Sequence, residues 1–277
     1  MNKLKIAFTI FLLFVLAAVL SAEDRQWPDD PKRISGAFGG FRDFRFSEGL
    51  AFLSEGQRAN AWSDGEVIWT TDGESRIGSV PDQPFVAIRH DDGFRSVYKG
   101  IDPRPDLDRQ VSAGEWLGYA EGNEWMFSIL DVERSRIVDP LSMLPSRVGL
   151  SRLTIGRVEL VRAGSRTPLA EGMTIKSGRW TLSIEIPFSL GDALRNELSL
   201  YWVGELLGRI RFVSLSESPN GVLLEVPEER TLETMYDDQG RILFPDLMLN
   251  AGRGTLELRV SDELGRVTTQ NWNIVVQ

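Results

Sequence analysis

One histidine, His90, and no cysteine limit the side-chain chemistry open to this 277-residue chain. A cysteine nucleophile and a Cys-ligated zinc are excluded, as is any zinc site built on two imidazoles. A Ser-His-Asp triad would have to use His90, and no G-x-S-x-G elbow precedes a helix. No G-x-x-x-x-G-K-[ST] loop is there to cradle phosphate, and no D-x-D-x-D-G loop to hold calcium. Gly36-x-x-Gly39-Gly40 is glycine-rich but lacks the βαβ frame that a dinucleotide needs. What remains is charge. Arg33, Arg42, Arg45, Arg89 and Arg95 are interleaved with Phe41, Phe44 and Phe46. Guanidinium groups beside aromatic rings can grip a carboxylate-bearing peptide or an acidic partner helix. The same residues also serve as ordinary exposed arginines over a packed aromatic core. With 31 Lys and Arg against 40 Asp and Glu, the formal net charge is −9. That balance repels the phosphates of nucleic acid.

The elements that must position these side chains are short. Residues 1–22 read as an export signal: Lys3 and Lys5, then an uncharged run from Ile6 to Ala22, with Ser21-Ala22 as a small-residue cleavage site. The run is short for a membrane span, which needs about 20 residues. It is either cleaved or kept as an N-terminal anchor. In both cases the folded part is exported, periplasmic or otherwise extracytoplasmic, with no membrane contact beyond this segment. Residues 23–33 are a polar lead-in.

From Ile34 onward, short apolar runs alternate with Gly, Asp, Asn and Pro. Glu66–Trp69, Phe85–Arg89 and Ser96–Tyr98 are expected strands, with turns at Asp64-Gly65, Asp72-Gly73 and Asp92-Gly93. No helical period holds for three turns before residue 140. Pro140–Pro145 marks a boundary. Beyond it, Trp180–Ile186, Thr255–Val260 and Val267–Val276 alternate apolar and polar with period two, as in sheets packed into a sandwich. Ser189–Leu198 and Pro227–Tyr236 are expected short helices. The fold class is all-β, in two domains of residues 34–146 and 147–277, the second an immunoglobulin-like β-sandwich. A hydrophobic content of 42% is enough for cores without disulfide staples.

Residues 34–146 resemble the LytM/lysostaphin-type zinc endopeptidases, the small β domain that cuts peptidoglycan cross-bridges. Arg33–Gly39 resembles the family's opening strand and Gly turn, and Phe46–Ala51 its first ligand segment. Gly56–Val67 is similar to "G-x-P-V-x-A-x-x-D-G-x-V", Val86–Tyr98 to "V-x-I-x-H-x-D-G-Y-x-T-x-Y", and Val111–Gly118 to "V-x-x-G-x-x-I-G". Glu124–Ile129 stands where "H-x-H-F-E-[IL]" belongs, and Val138–Leu141 matches the "V-D-P" exit. The order of the segments carries the resemblance, which therefore implies a LytM-like β domain.

The resemblance also implies that the chemistry has gone. The family's metal ligands fall on Ser47, Ala51 and Met126, and its catalytic histidines on Gly100 and Glu124. Alanine offers no donor atom, and a thioether is unsuited to hydrolytic zinc. The expectation is a pseudoenzyme without a metal or other cofactor. Its old cleft would be lined by Arg42, Arg45, Glu48, His90, Tyr98, Glu124 and Trp125. Inactive members of the family act as regulators, so the implied partner is an envelope protein, such as a cell-wall amidase, or peptidoglycan itself. His90 is either a strand-end side chain or a ligand contact. Glu48 and Glu124 are either solvated cleft-edge acids or a carboxylate pair for glycoside hydrolysis. An active cell-wall hydrolase with relocated catalytic residues is the alternative. A third possibility is a structural module whose cleft is plugged by Trp125 and Met126.

Overall fold

The computed structural model describes residues 25–54, 56–71, 76–77, 80–81, 83–218, 221–225 and 230–277. The expected export segment and the Asp72-Gly73 turn lie outside them. The chain is all-β. Its first half carries β1 (Ile34–Gly36), β2 (Phe41–Arg42), β3 (Arg45–Phe46), β4 (Leu50–Leu53), β5 (Arg58–Asn60), β6 (Gly65–Thr71), β7 (Arg76–Ile77), β8 (Val80–Pro81), β9 (Phe85–Arg89), β10 (Phe94–Lys99), β11 (Ile101–Pro103), β12 (Gln110–Val111), β13 (Trp116–Ala120), β14 (Glu124–Asp131) and β15 (Arg136–Val138). After a 3-10 turn at Pro140–Ser142 come β16 (Val158–Arg162), β17 (Ser165–Pro168), β18 (Thr174–Ile175), β19 (Gly178–Ile184), β20 (Arg195–Trp202), β21 (Glu205–Arg211), β22 (Ser214–Ser218) and β23 (Gly221–Glu225). A four-residue helix, Leu232–Met235, precedes β24 (Ile242–Leu249), β25 (Gly252–Asp262) and β26 (Val267–Val276).

The largest sheet runs β12-β6-β9-β10-β14-β15-β22-β23, with β4 paired to β14 and β1 to β4. Its inner face packs Ile34, Phe52, Trp62, Tyr98, Phe127 and Ile129 into one core. The second half folds two further sheets, β17-β16-β19-β24 and β18-β26-β25-β20-β21, over a core that includes Leu160, Leu182, Leu198, Phe244, Leu258 and Trp272. Alternation along β25 and β26 buries Leu256, Leu258, Val260, Trp272, Ile274 and Val276, as period-two patterning requires.

The two halves build each other. The hairpin β22–β23 leaves the second half and extends the first sheet, with Ile137 facing Leu215. Phe38 and Phe46 in turn pack into the second core, against residues such as Phe212 and Tyr236. The division near residue 146 is therefore a division of the chain and not of the sheet. The lead-in is also bound: Trp27 Nε1 donates to the Pro145 carbonyl at 3.0 Å, and Arg25 lies over the Trp62 ring at 5.0 Å. At the junction, Arg147 and Glu263 form a buried bidentate pair at 2.6 and 2.7 Å. Arg147 also donates to the carbonyls of Pro31 and Asp192, and Glu263 accepts from the Leu194 N–H. Both charges are thus compensated, the condition for burying them.

The expected helix at Ser189–Leu198 is corrected. The Ser189 N–H donates to Asp192 Oδ2 in a turn, and from Arg195 the chain enters β20, paired on both edges. Helix-forming residue types yield there to sheet pairing and burial of Leu198 and Leu200. Of the second expected helix, residues 227–229 lie outside the described residues, and the remainder is helical over Leu232–Met235.

Asp139, of the V-D-P exit, caps the 3-10 turn by accepting from the Leu141 N–H at 3.0 Å. Burial pushes its carboxyl up to about 7, aided by the charge of Glu263. Between the ordinary value of 3.8 and about 7 the folded chain holds a proton that the unfolded chain has released. Stability therefore falls as pH rises through that window. Asp139→Asn keeps a capping oxygen and removes the titration. Denaturant melts of this variant are expected to lose on the order of a few kcal/mol of the wild-type decline between those pH values. An unchanged pH slope would show that Asp139 does not titrate there.

Candidate functional site

The cleft is set by which face of each strand points into it. Along β14, Trp125, Phe127, Ile129 and Asp131 are buried, while Glu124, Met126, Ser128 and Leu130 face the open side. Along β10, Ser96 and Tyr98 point inward and Arg95, Val97 and Lys99 outward. Strand register then aligns a row of side chains across the sheet. Phe85 faces Lys99, Lys99 faces Met126, Met126 faces Ala51, and Ala51 faces Gly36. Two of the three positions matched to metal ligands are thus direct cross-strand partners. The third, Ser47, lines the same cavity as Met126, about 700 Å³ in volume and walled by Arg42 and Arg45 of the β2–β3 hairpin.

The donors in this row do not suit a zinc ion. Ala51 has none, Met126 presents a thioether, and the Ser47 hydroxyl donates to the Gly49 carbonyl at 3.0 Å. A cation already covers that end of the row. Arg42 Nη1 stands 3.6 Å from where a Cβ on Gly36 would lie, and Nη2 pairs with Glu124. A fixed guanidinium disfavours a second positive charge beside it. Among the described residues, no group of three or more His, Asp or Glu side chains converges to hold a metal.

Two of the three carboxylates that line the cleft are engaged by cations, Glu124 by Arg42 and Glu48 by Lys99 at 3.7 Å. Arg45 makes no ion pair among the described residues. The hairpin that carries Arg42 and Arg45 turns at Asp43-Phe44, both at positive φ (47° and 59°), and leaves Phe44 75% exposed. Such a turn normally recruits Asn or Gly, so an exposed Phe in this conformation is a strained feature at the cleft rim. The second half holds this hairpin in place. Phe41 and Phe46 lie 5.7 and 6.1 Å from the Tyr236 ring, and the Tyr236 hydroxyl donates to the Gly39 carbonyl at 2.6 Å.

Of the residues expected to line the cleft, Arg42, Arg45, Glu48, Glu124 and Trp125 border it. The Trp125 ring is turned away from the opening, and Tyr98 and His90 are corrected. The Trp125 side chain points to the core, 2% exposed, stacked on Phe52 at 4.8 Å, with Nε1 donating to Asp29 Oδ2. Tyr98 is fully buried, its hydroxyl accepting from the Trp62 N–H at 2.7 Å, and burial raises its pKa. His90 is 3% exposed, on the inner face at the far end of β9, roughly 17 Å along the strand from Phe85. Its Nδ1 sits 2.7 Å from the Asp64 carbonyl, so Nδ1 carries the proton and Nε2 accepts from Ser96 Oγ at 2.8 Å. Burial lowers its pKa and favours this neutral form.

Gly100 occupies a turn at φ 82°, with its N–H bonded to the Pro84 carbonyl at 2.7 Å. A Cβ there would stand 3.3 Å from that of Trp125. Of the remaining arginines, Arg33 binds the Leu53 carbonyl and Arg89 pairs with Glu66, both away from the cleft. Arg95 borders an adjoining groove of about 470 Å³ along the same open face, with Val97, Leu130, Ile137 and Val222. Lys99 and Phe85 line the main cavity and were missed. Alternation from Ser96 and Tyr98 would have found Lys99.

Comparisons with known proteins follow the two halves unequally. One family model matches residues 152–277. No curated protein matches the chain. Among solved structures, Csd3 of Helicobacter pylori is 22% identical over 44% of this chain and 33% of its own, with a TM-score of 0.36. CbpA of L. salivarius REN is 22% identical over 39% of this chain and 77% of its own, with a TM-score of 0.29. A protein from Pseudomonas aeruginosa described as peptidase M23 is 21% identical over 42% of this chain and 53% of its own, with a TM-score of 0.27. The chain thus spans a third of the length of Csd3 and about half that of the Pseudomonas protein.

The two faces of β14 are separable by mutation. Trp125→Ala removes a packed core ring and is expected to cost about 3–5 kcal/mol of folding stability. Met126→Ala, on the open face, is expected to cost under about 1.5 kcal/mol. Equal costs in denaturant titrations would contradict the assigned faces.

Proposed function

We propose that this chain is an exported, noncatalytic relative of the LytM-type zinc endopeptidases, whose former cleft is kept for binding an envelope partner or peptidoglycan. The observation that carries this reading is the cross-strand row. Its geometry keeps Ala51, Met126 and Ser47 together, while its chemistry supplies no set of zinc ligands and sets a guanidinium and a lysine beside them. Affinity and catalysis rest on different residues, so a groove can lose one and keep the other. The groove is suited to binding in three ways. It is open, it mixes charge with apolar floor, and an exposed aromatic, Phe44, stands at its rim. The two-sheet second half braces the hairpin wall, and in this reading it is an accessory to the groove.

Two measurements test the reading together. The purified protein, given zinc and isolated peptidoglycan sacculi, is expected to release no cross-bridge fragments. A photocrosslinking residue at Met126 is expected to capture a wall glycopeptide or an envelope protein in cells, and one at Arg253, on the far strand β25, is not. Fragment release, or equal labelling from both positions, would overturn it.

A further inference from the structure

A second cavity, of about 320 Å³, opens between the two halves behind the β2–β3 hairpin. It meets the cleft at Arg42 and Ser47, which border both. Its remaining walls include the apolar side chains Ile186, Phe188 and Ile242. No acidic residue lines it, although acidic residues outnumber basic ones in the chain by 40 to 31. Two guanidinium groups, from Arg42 and Arg195, do.

Arg195 is held firmly. Its Nη2 donates to the Tyr236 hydroxyl at 2.9 Å, and its guanidinium lies 4.5 Å over the Phe212 ring. Both guanidinium groups lie against glycine backbone. A Cβ on Gly40 would stand 3.4 Å from Arg195 Nη2, and one on Gly36 would stand 3.6 Å from Arg42 Nη1. Two donors at this cavity are unspent: Ser35 Oγ and Arg195 Nε are buried and have no hydrogen-bond partner among the described residues. A buried donor left unpaired costs about 1–3 kcal/mol, and a hydroxyl rotor turns readily to meet an arriving acceptor.

We propose that this cavity binds the terminal carboxylate of a short apolar peptide. A carboxylate matches the forked geometry of guanidinium groups and accepts from a hydroxyl at the same time. The apolar walls ask for an aliphatic side chain beside that carboxylate, which a bare inorganic anion does not supply. The volume admits a residue or two. The site adjoins the cleft through Arg42 and Ser47, but Ser35 and Arg195, on which its test rests, do not line the cleft.

Calorimetric titration of the purified protein with N-acetyl-alanyl-alanine, with its C-terminal amide and with acetate tests this directly. The free acid is expected to bind saturably, and the amide and acetate at least ten-fold more weakly. Ser35→Ala removes a hydroxyl that makes no hydrogen bond in the ligand-free fold. It is expected to weaken the acid three- to ten-fold without lowering Tm. Arg195→Gln is expected to abolish binding. Absence of saturable binding, equal affinity for acid and amide, acetate binding as tightly as the peptide, or an unaffected Ser35→Ala variant would each overturn the proposal.

Discussion

The register between β4, β10 and β14 is the constraint on which the rest of the molecule depends. Side chains alternate across a sheet, so a slip of one residue would send every buried group to the open face. Here Trp125, Phe127 and Ile129 fill the core from one side of β14, against Phe52 and Tyr98. Their bulk fixes the pairing and thereby places Met126 opposite Ala51 and Lys99. Gly49 is part of the same fit, since a Cβ there would fall 2.1 Å from the Phe127 carbonyl. The cleft floor is the reverse side of a packed core, and its geometry survives changes in the residues that face solvent.

That separation lets the side chains on the open face vary while the shape of the cleft is kept. Replacing donors on the open face costs little packing, whereas replacing Trp125 or Phe127 would cost the fold. Two ion pairs lie across the cleft. Arg42 reaches Glu124 from the hairpin wall, and Lys99 reaches Glu48. The second half is part of the same construction. Tyr236 and Phe212 seat the segment that carries Arg42, and the β22–β23 hairpin lengthens the sheet that forms the floor.

Local pattern made the strands legible. Phe85–Arg89, legible as a short apolar run, and Val267–Val276, legible from alternation, have the expected bounds. The ordered segments also brought Ser47, Ala51 and Met126 to one place. What escaped was decided by distant partners. Ser189–Leu198 carries helix formers, but β25 and β21 capture its end as a strand. Alternation along β14 and β10 turns the Trp125 ring and Tyr98 inward, and His90 is buried beyond the end of β9 by its bonds to Asp64 and Ser96. Nothing local in Ser214–Glu225 announces that it leaves its neighbours to pair with β15. The cavity beside Arg195 arises only where the two halves meet.

We propose that the backbone of a metal site persists beneath side chains that cannot serve it. Zinc titration of the triple variant Ser47→His, Ala51→Asp, Met126→His, judged on protein shown to be folded by circular dichroism, tests it most directly. The account predicts one zinc per chain at micromolar affinity or better, against none at that site in the parent. A folded variant that binds zinc no better than the parent would contradict it.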